Sequence, residues 1–139
     1  MNGYIHKVKY YETDKMGITH HSNYVRWMEE ARMDFLSQIG YGMKQLEADG
    51  ITSPVVSVDC QYKRTTTFDD EIRIDIRVQK YTGVRLEFCY TMTNVATNQV
   101  VLTAASSHCF IDTTGRPIAA KKHFPALDDI LRTLASDSI

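Results

Sequence analysis

Hydrophobic residues recur every three or four positions over residues 22–39, and this spacing predicts one long amphipathic helix. Ser22 is the expected N-cap, because its hydroxyl can accept a hydrogen bond from a backbone N–H of the first turn. The glycines Gly40 and Gly42 are expected to end the helix. A short second helix is predicted over residues 43–49.

Alternation of apolar and polar residues predicts the strands. The first is expected over residues 4–11, although its alternation is imperfect. Three more segments alternate regularly, so each should form a strand with one buried and one wetter face. Residues 100–111 are apolar or small on both faces, which predicts a last strand that is doubly covered or lies at an interface. Hairpin turns are expected at Thr82-Gly83 and Thr97-Asn98. The three alternating segments run from Val56 to Tyr62, from Ile72 to Val78 and from Leu86 to Met92.

The predicted order is a strand, a long helix, four strands in succession and a C-terminal helix that begins near Pro125. Consecutive strands joined by short turns predict an antiparallel sheet, and the long helix must bury its apolar stripe against one face of that sheet. The predicted fold class is therefore α+β with two layers. A parallel Rossmann-type sheet is excluded because helices and strands do not alternate. One helix cannot cover five strands, so we infer that a second subunit covers an edge or a face of the sheet.

Composition narrows the class of protein without identifying a ligand. The 139 residues favour one domain spanning 1–139, and a net charge of −1 with a pI near 6.5 predicts no nucleic-acid partner. No apolar run approaches the roughly 18 residues of a membrane span, and the N-terminus lacks the apolar core of a signal peptide. Well-separated cysteines inside strand patterns are typical of reduced thiols, so we expect a cytoplasmic protein. They are Cys60, Cys89 and Cys109.

The segment between the first strand and the long helix carries the residues best suited to chemistry. Glu12 and Asp14 end the strand, Gly17 follows, and His20 and His21 precede the helix. A carboxylate can act as a base or a nucleophile, and the unpaired N–H groups of a helix N-terminus can hold a developing oxyanion. This combination suits acyl transfer and, specifically, hydrolysis of a thioester. From spacing alone, Asp14 is more simply explained as a turn residue, and Glu12 as the polar end of a strand.

The two histidines are open to several interpretations. Acid–base groups and metal ligands are both possible roles, but no third ligand stands at a suitable spacing, so we expect no metal ion. Alternatively, one histidine packs against the sheet and the other is solvated. We favour a third interpretation, in which the backbone N–H near His21 donates to the thioester oxygen while its side chain shapes the pocket.

Other polar residues have ordinary explanations beside the functional ones. Ser22-Asn23-Tyr24 could be only a capping segment, and Glu29 could reach the site from the helix or face solvent. Motifs of serine hydrolases, dinucleotide-binding enzymes and P-loop enzymes are absent. Five basic residues are either phosphate-binding groups for a large cofactor or surface charges: Lys63, Arg64, Arg85, Lys121 and Lys122.

Two linked motifs carry a family resemblance. Thr13-Asp14-x-x-Gly17-x-x-x-His21-x-Asn23-Tyr24, followed by Trp27-x-Glu29-x-Ala31-Arg32, resembles the signature of hotdog-fold acyl-CoA thioesterases of the 4-hydroxybenzoyl-CoA thioesterase-like group. Within that group, the subgroup accompanying the Tol-Pal system is the most similar. The resemblance extends over nearly the whole chain, with weaker matches at Tyr62, Asp70 and the segment from Lys122 to Pro125.

This resemblance implies an antiparallel sheet wrapped around one long helix, in subunits that form homodimers or homotetramers with active sites at the dimer interface. It implies that Asp14 is the nucleophile or general base, and that the thioester carbonyl lies near the backbone N–H of His21. These two residues are therefore the expected catalytic residues. No cofactor is expected, because CoA is part of the acyl-CoA substrate. The residues expected to bind substrate are Gly17, Asn23, Tyr24, Glu29, Arg64 and Arg85.

Two positions depart from the group's pattern, and both bear on the acyl pocket. His20 stands where tyrosine is common, and Thr19 is more polar than usual. The alternatives are an acyl-ACP thioesterase, a non-catalytic module that binds acyl-CoA or acyl carrier protein, and a hydratase or dehydratase of the same fold. The last resembles sites with Asp/His or Glu/His placements that this loop does not reproduce.

Overall fold

The computed structural model describes residues 2–137 and consists of one antiparallel sheet that curls around a long helix. A single turn of 3-10 helix, Tyr10–Glu12, lies between the first strand and this helix. The other elements are β1 (Tyr4–Lys7), α1 (Ser22–Gln38), α2 (Met43–Ala48), β2 (Val55–Tyr62), β3 (Glu71–Tyr81), β4 (Arg85–Asn94), β5 (Gln99–Ile111), β6 (Pro117–Ile118), α3 (Ala120–His123) and α4 (Pro125–Asp137).

The strands are paired in the order β1–β3–β4–β5–β2, and β6 pairs with the end of β5. β2 is therefore an edge strand that pairs only with β5 in this sheet, although β3 and β4 lie between the two in the chain. Its register places Tyr62 opposite Leu102 and Val55 opposite His108. The Tyr62 end of β2 therefore lies beside the start of β5, and the Val55 end lies beside the end of β5.

The core lies between α1 and the sheet. Trp27, Met28 and Phe35 on α1 are at most 1% exposed, and they pack in one cluster with buried residues of β3, β4 and β5. Fully burying side chains of this size stabilises the fold by roughly 1.5–3 kcal/mol each. α4 adds Leu127 and Leu131 to the same cluster. The predicted α+β class, with an antiparallel sheet wrapped around one long helix, is confirmed.

Most predicted elements are confirmed, including the long helix, the short second helix, the C-terminal helix and both hairpin turns. The last strand is largely buried on both faces from Val101 to Phe110, as its composition predicted. The prediction of a first strand over residues 4–11 is wrong beyond Lys7. The chain turns there because the buried Glu12 side chain accepts the backbone N–H of Lys9 at 2.7 Å.

Two local predictions are also wrong. Ser22 is the first helical residue rather than the N-cap; His21 holds the N-cap position, and the Ser22 hydroxyl contacts His20 Nδ1 at 2.9 Å instead. β2 has no buried face, and Val56 and Val58 are 50% and 39% exposed. The reason is positional, because an edge strand next to a single long helix receives no cover on its outer side.

Candidate active site

The loop between the 3-10 turn and α1 is held as a compact turn. The backbone N–H of Asp14 donates to Ile18 O at 2.8 Å, and Thr13 and Thr19 form an isolated bridge across the turn. Gly17 has a φ of +79°, which is strained for residues with a Cβ. The Thr67 hydroxyl donates to Gly17 O at 2.8 Å and ties the turn to the segment before β3. The loop is thus held by hydrogen bonds within the turn and to the segment before β3.

Asp14 combines a turn role with a position in a cleft. One of its carboxylate oxygens, Oδ1, accepts the backbone N–H of Met16 at 2.8 Å, while no residue from 2 to 137 hydrogen-bonds to the other. The side chain is half-buried and lines an open cleft of about 420 Å³. His21, Tyr24 and Tyr62 line the same cleft. One carboxylate oxygen of Asp14 therefore supports the turn, and the other has no partner among residues 2–137.

The N-terminus of α1 opens onto this cleft at His21. The backbone N–H of Ser22 is accepted by His20 Nδ1 at 3.2 Å, and that of Asn23 by His20 O at 3.0 Å. The backbone N–H of His21 has no acceptor within residues 2–137. A free donor at the positive end of a helix is suited to a partially negative oxygen. The imidazoles of His20 and His21 are exposed and stacked, with ring centroids 4.3 Å apart.

A small set of hydrogen-bonded hydroxyl groups lies behind the lining of the cleft. Tyr24 is 3% exposed, and its hydroxyl lies 3.0 Å from Thr66 Oγ1, which lies 2.6 Å from Thr19 Oγ1. Burial raises the pKa of Tyr24, so its hydroxyl is protonated at neutral pH. Tyr62 stacks edge-on against Tyr24 and donates weakly to His21 O at 3.4 Å. The polar Thr19 thus belongs to a buried hydrogen-bonded pair rather than to the cleft surface alone.

Glu12 supports the loop from behind, a role that its sequence position did not reveal. It is 3% exposed, and its carboxylate accepts Trp27 Nε1–H at 2.7 Å and contacts His6 Nε2 at 2.9 Å. Its backbone carbonyl accepts the N–H of His20 and the side-chain amide of Asn23, each at 2.9 Å. Glu12 therefore joins the 3-10 turn, the loop and the first turn of α1.

The basic residues divide between the two ends of the sheet. Lys63 and Arg64 line the cleft and an adjoining surface groove of about 430 Å³. Neither has a carboxylate within 4.0 Å among residues 2–137. Arg85 begins β4 opposite Cys109, at the other end of the sheet.

The predicted site residues are brought together only in part. Asp14, His21, Tyr24 and Arg64 line the cleft, and Gly17 forms its turn. Asn23 bonds the loop backbone, and Arg85 lies away from the cleft. Glu29 is exposed on α1, and its side chain has no hydrogen bond or ion pair to any of residues 2–137. No group of three or more His, Cys, Asp or Glu side chains in the described part of the chain is arranged to hold a metal ion. Over the same residues, no helix combines the length and apolar character needed to cross a membrane.

Comparisons with known proteins identify the family. Residues 8–134 match the model of the Thioesterase-like superfamily. The chain belongs to this superfamily. This confirms the expected class of enzyme, a thioester hydrolase, at the level of the family.

Individual relatives agree with this assignment. The chain is 32% identical over 120 residues to the "Putative acyl-CoA thioesterase YneP" of Bacillus subtilis, an alignment that covers 86% of each chain. It is 31% identical to an Aquifex aeolicus protein named as an esterase, over 78% of this chain and 83% of the other. The solved structure of a DHNA-CoA thioesterase from Staphylococcus aureus is 27% identical, with a TM-score of 0.91 over 99% of this chain and 95% of that one.

Proposed function

We propose that this protein hydrolyses acyl-CoA thioesters to the free acid and CoA, with Asp14 as general base or nucleophile. One observation carries the proposal: a half-buried carboxylate with a free oxygen and an unpaired helix N-terminal N–H line the same cleft. Thioester hydrolysis needs both groups, because the acyl carbon must be attacked while its oxygen gains negative charge.

The proposed reaction uses the two groups on opposite sides of the thioester carbonyl. The carbonyl oxygen accepts the backbone N–H of His21, where the dipole of α1 adds to the hydrogen bond. Asp14 either takes a proton from water, which then adds to the carbonyl carbon, or adds directly and forms an anhydride that water cleaves. The C–S bond breaks, and the CoA thiolate leaves and takes up the proton released from water.

The phosphates of CoA are proposed to lie along the groove that contains Lys63 and Arg64. Both side chains are exposed and lack a carboxylate partner within residues 2–137. A guanidinium and an ammonium group are the usual phosphate ligands in proteins. The groove shares both residues with the cleft, so one extended ligand can occupy the two together.

A homodimer through β2 is proposed as the active assembly, alone or paired into a tetramer. The outer edge of β2 pairs with no strand among residues 2–137, and the β2 residues Val55, Val56 and Val58 are 39–50% exposed. Such an edge is a template for a second copy of the same strand. A two-fold axis makes the pairing antiparallel, so the sheet of one copy continues into that of the other.

The Tol-Pal-associated subgroup and a cytoplasmic location stay predictions. The free cysteines are compatible with a cytoplasmic location.

The decisive experiment measures thiol release from a panel of acyl-CoAs by wild type and by Asp14→Asn. The substitution keeps the shape and the turn but removes the base, so kcat should fall by about 10²–10⁴ with folding unchanged. Asp112→Asn is the matched control, because Asp112 Oδ1 accepts the N–H groups of Thr114 and Arg116 in another turn. That variant should retain wild-type kcat.

Three outcomes would contradict parts of the proposal. Near-wild-type turnover by Asp14→Asn would remove Asp14 from the chemistry. Saturable acyl-CoA binding without release of thiol would identify a binding module instead. Faster turnover of acyl carrier protein thioesters than of the matching acyl-CoAs would show that the substrate is carried by acyl carrier protein rather than by CoA.

A further inference from the structure

A second cavity of about 240 Å³ lies beneath the C-terminal half of α1, and we call it the chamber. It shares no lining residue with the catalytic cleft. Because a cavity of roughly 150 Å³ holds one benzene ring, the chamber has room for a ring-sized or medium-chain acyl group. Its apolar walls come from α1, α2, β4, β5 and α4 and include Met33, Leu36, Leu46, Phe88, Phe110 and Leu131.

One wall of the chamber ends a chain of buried hydrogen bonds. Arg32 Nη1 donates to Tyr90 Oη at 3.1 Å, Tyr90 Oη lies 2.5 Å from Ser106 Oγ, and Ser106 Oγ lies 2.8 Å from His108 Nε2. Arginine can only donate, so each hydroxyl has an acceptor only if Tyr90 donates to Ser106 and Ser106 donates to His108. Burial, with a smaller effect of Arg32, lowers the pKa of His108 to about 4, so the ring is neutral and can accept at Nε2.

The chamber is left with hydrogen-bond donors that lack partners. With Nε2 accepting, the proton of His108 lies on Nδ1, to which no residue from 2 to 137 is hydrogen-bonded. Arg32 is half-buried and has no carboxylate within 4.0 Å in the same part of the chain. Glu47 lines the exposed mouth and opposes a second negative charge. A neutral oxygen acceptor, a hydroxyl or a ketone, satisfies these constraints.

The chamber is remote from the cleft of its own subunit. Met33 follows His21 by twelve residues, which correspond to about 18 Å along α1. The two cavities also lie at opposite ends of β2: Tyr62 lines the cleft, whereas Thr52 and Ser53, just before Val55, line the chamber. The eight residues of β2 span about 27 Å.

Antiparallel pairing of two β2 strands reverses this relationship. It places the Tyr62 end of one strand beside the Val55 end of the other, at a spacing of about 4.8 Å between strands. The cleft of one subunit then lies at the same end of the interface as the chamber of the second copy. The exposed lining residues Met43, Glu47, Thr52 and Ser53 indicate that the chamber opens between α2 and the start of β2, toward that interface.

We propose that the chamber binds the acyl group of a thioester held in the cleft of a second copy of this chain, and that Arg32 and His108 select acyl groups with a neutral oxygen acceptor remote from the thioester. This inference rests on the proposed thioesterase activity and on the β2 dimer. Active sites at the dimer interface are already implied by the family resemblance; the proposal assigns the acyl group to the chamber of the second copy and its selection to Arg32 and His108.

Complementation between two defective variants tests the joint site. Met33→Trp fills the chamber and leaves the cleft intact, whereas Asp14→Asn disables the cleft and leaves the chamber intact. Co-expression with two different affinity tags allows the mixed dimers to be isolated. One site of each mixed dimer should join an intact cleft to an open chamber, so activity should return to about half of the wild-type value per dimer. Arg26→Trp, on the exposed face of α1, controls for added bulk and should be active without a partner.

Each outcome of this experiment has a distinct meaning. Mixed dimers without activity would overturn the exchange between subunits, since a chamber serving its own cleft cannot be rescued. A fully active Met33→Trp homodimer would overturn the chamber as the acyl site. Absence of turnover by wild type, or full turnover by Asp14→Asn, would instead contradict the proposed function itself.

Matched substrate pairs test the selection by Arg32. The pairs are phenylacetyl-CoA with 4-hydroxyphenylacetyl-CoA and octanoyl-CoA with 8-hydroxyoctanoyl-CoA. In at least one pair, wild type should have kcat/KM about tenfold higher or more for the oxygenated member. Arg32→Met should lose this preference and retain turnover of the apolar member, because Tyr90 keeps its bond to Ser106. Equal kcat/KM within both pairs for wild type, or an unchanged preference in Arg32→Met, would overturn the selection.

Discussion

Glu12 and Asp14 are two residues apart but lie in opposite environments. Glu12 is almost fully buried and has donors on both carboxylate oxygens, whereas Asp14 is half-buried with one oxygen free. Burial alone would raise the pKa of Glu12, but hydrogen bonds from Trp27, the Lys9 backbone and His6 outweigh it and lower that pKa. The first carboxylate therefore stabilises the loop, and the second is available for chemistry.

Glu12→Gln is expected to destabilise the fold by about 2–4 kcal/mol near neutral pH. The glutamine side-chain nitrogen would face either the Lys9 N–H or the Trp27 Nε1–H, and both of these are donors. The lowered pKa fixes the direction of the pH dependence. The stabilisation that the Glu12 carboxylate provides is fully present above the unfolded-state pKa near 4.5 and is lost as pH falls through the folded-state pKa. The difference in unfolding free energy between wild type and variant should therefore shrink in acid.

Urea denaturation at pH 7 and below pH 4 measures this difference. Glu29→Gln is the matched control, since Glu29 is exposed on the adjacent helix and should change stability by no more than about 0.5 kcal/mol. A Glu12→Gln penalty that is the same at both pH values would show that the charge of Glu12 does not stabilise the loop.

The candidate site shows which residues local sequence can identify. Asp14, Gly17 and His21 follow one another closely, so turn chemistry and the start of a helix were enough to place them together. The burial of Glu12 could not be foreseen, because Trp27 and His6, which bond it, come from a helix and a strand on either side. The chamber donors were missed for the same reason: Arg32, Tyr90 and His108 meet only after α1 packs on the sheet.

At the scale of elements, α4 is anchored by one buried carboxylate. Asp128 is 4% exposed and accepts hydrogen bonds from Tyr81 Oη at 2.5 Å and Arg132 Nε at 2.9 Å. Burial and the bond to Asp128 raise the pKa of Tyr81, so its hydroxyl remains a donor. Because Tyr81 ends β3, this contact joins α4 to the sheet beside the apolar contacts of Leu127 and Leu131.

Asp128→Ala should reduce the unfolding free energy by about 2–3 kcal/mol, because it removes two hydrogen bonds and leaves the Tyr81 hydroxyl without its acceptor. Tyr81→Phe should cost only about 1 kcal/mol, since Arg132 still pairs with Asp128. Denaturant unfolding gives the free energies, and hydrogen exchange across α4 shows whether the loss is local. The exposed neighbour Asp129 provides the control. If Asp129→Ala lowered the unfolding free energy as much as Asp128→Ala does, the anchoring role of Asp128 would be excluded.

Element boundaries could be predicted where hydrophobic periodicity determines them. The predictions were wrong where a specific side-chain hydrogen bond determines them. The regular alternation in β3 and β4 placed both strands, and the apolar stripe placed α1 within one residue at its C-terminal end. β1 ended early because Glu12 captures a backbone N–H, which no hydrophobic pattern encodes. The alternation of β2 correctly indicated a strand. Its apolar face is uncovered within residues 2–137, since β2 lies at the edge of the sheet.

At the scale of the whole molecule, the open edge of β2 leads to the last prediction. Val58→Lys places a charge in the exposed apolar face of the edge strand, so it should reduce the molar mass in light scattering to that of the next smaller assembly. The monomer should stay folded, because Val58 is 39% exposed in a single copy and buries little there. Gln61→Lys adds the same charge on the opposite face of β2 and serves as the control.

Activity should follow assembly if the active site spans two subunits. Val58→Lys leaves Asp14 and His21 untouched, so a site contained in one subunit would keep its turnover when the dimer dissociates. A joint site would lose it, and the loss should be reversed in part at high protein concentration, where dimers re-form by mass action. A fully active Val58→Lys monomer would contradict both the shared site and the role of β2, whereas an inactive monomer with a native circular dichroism spectrum would support both.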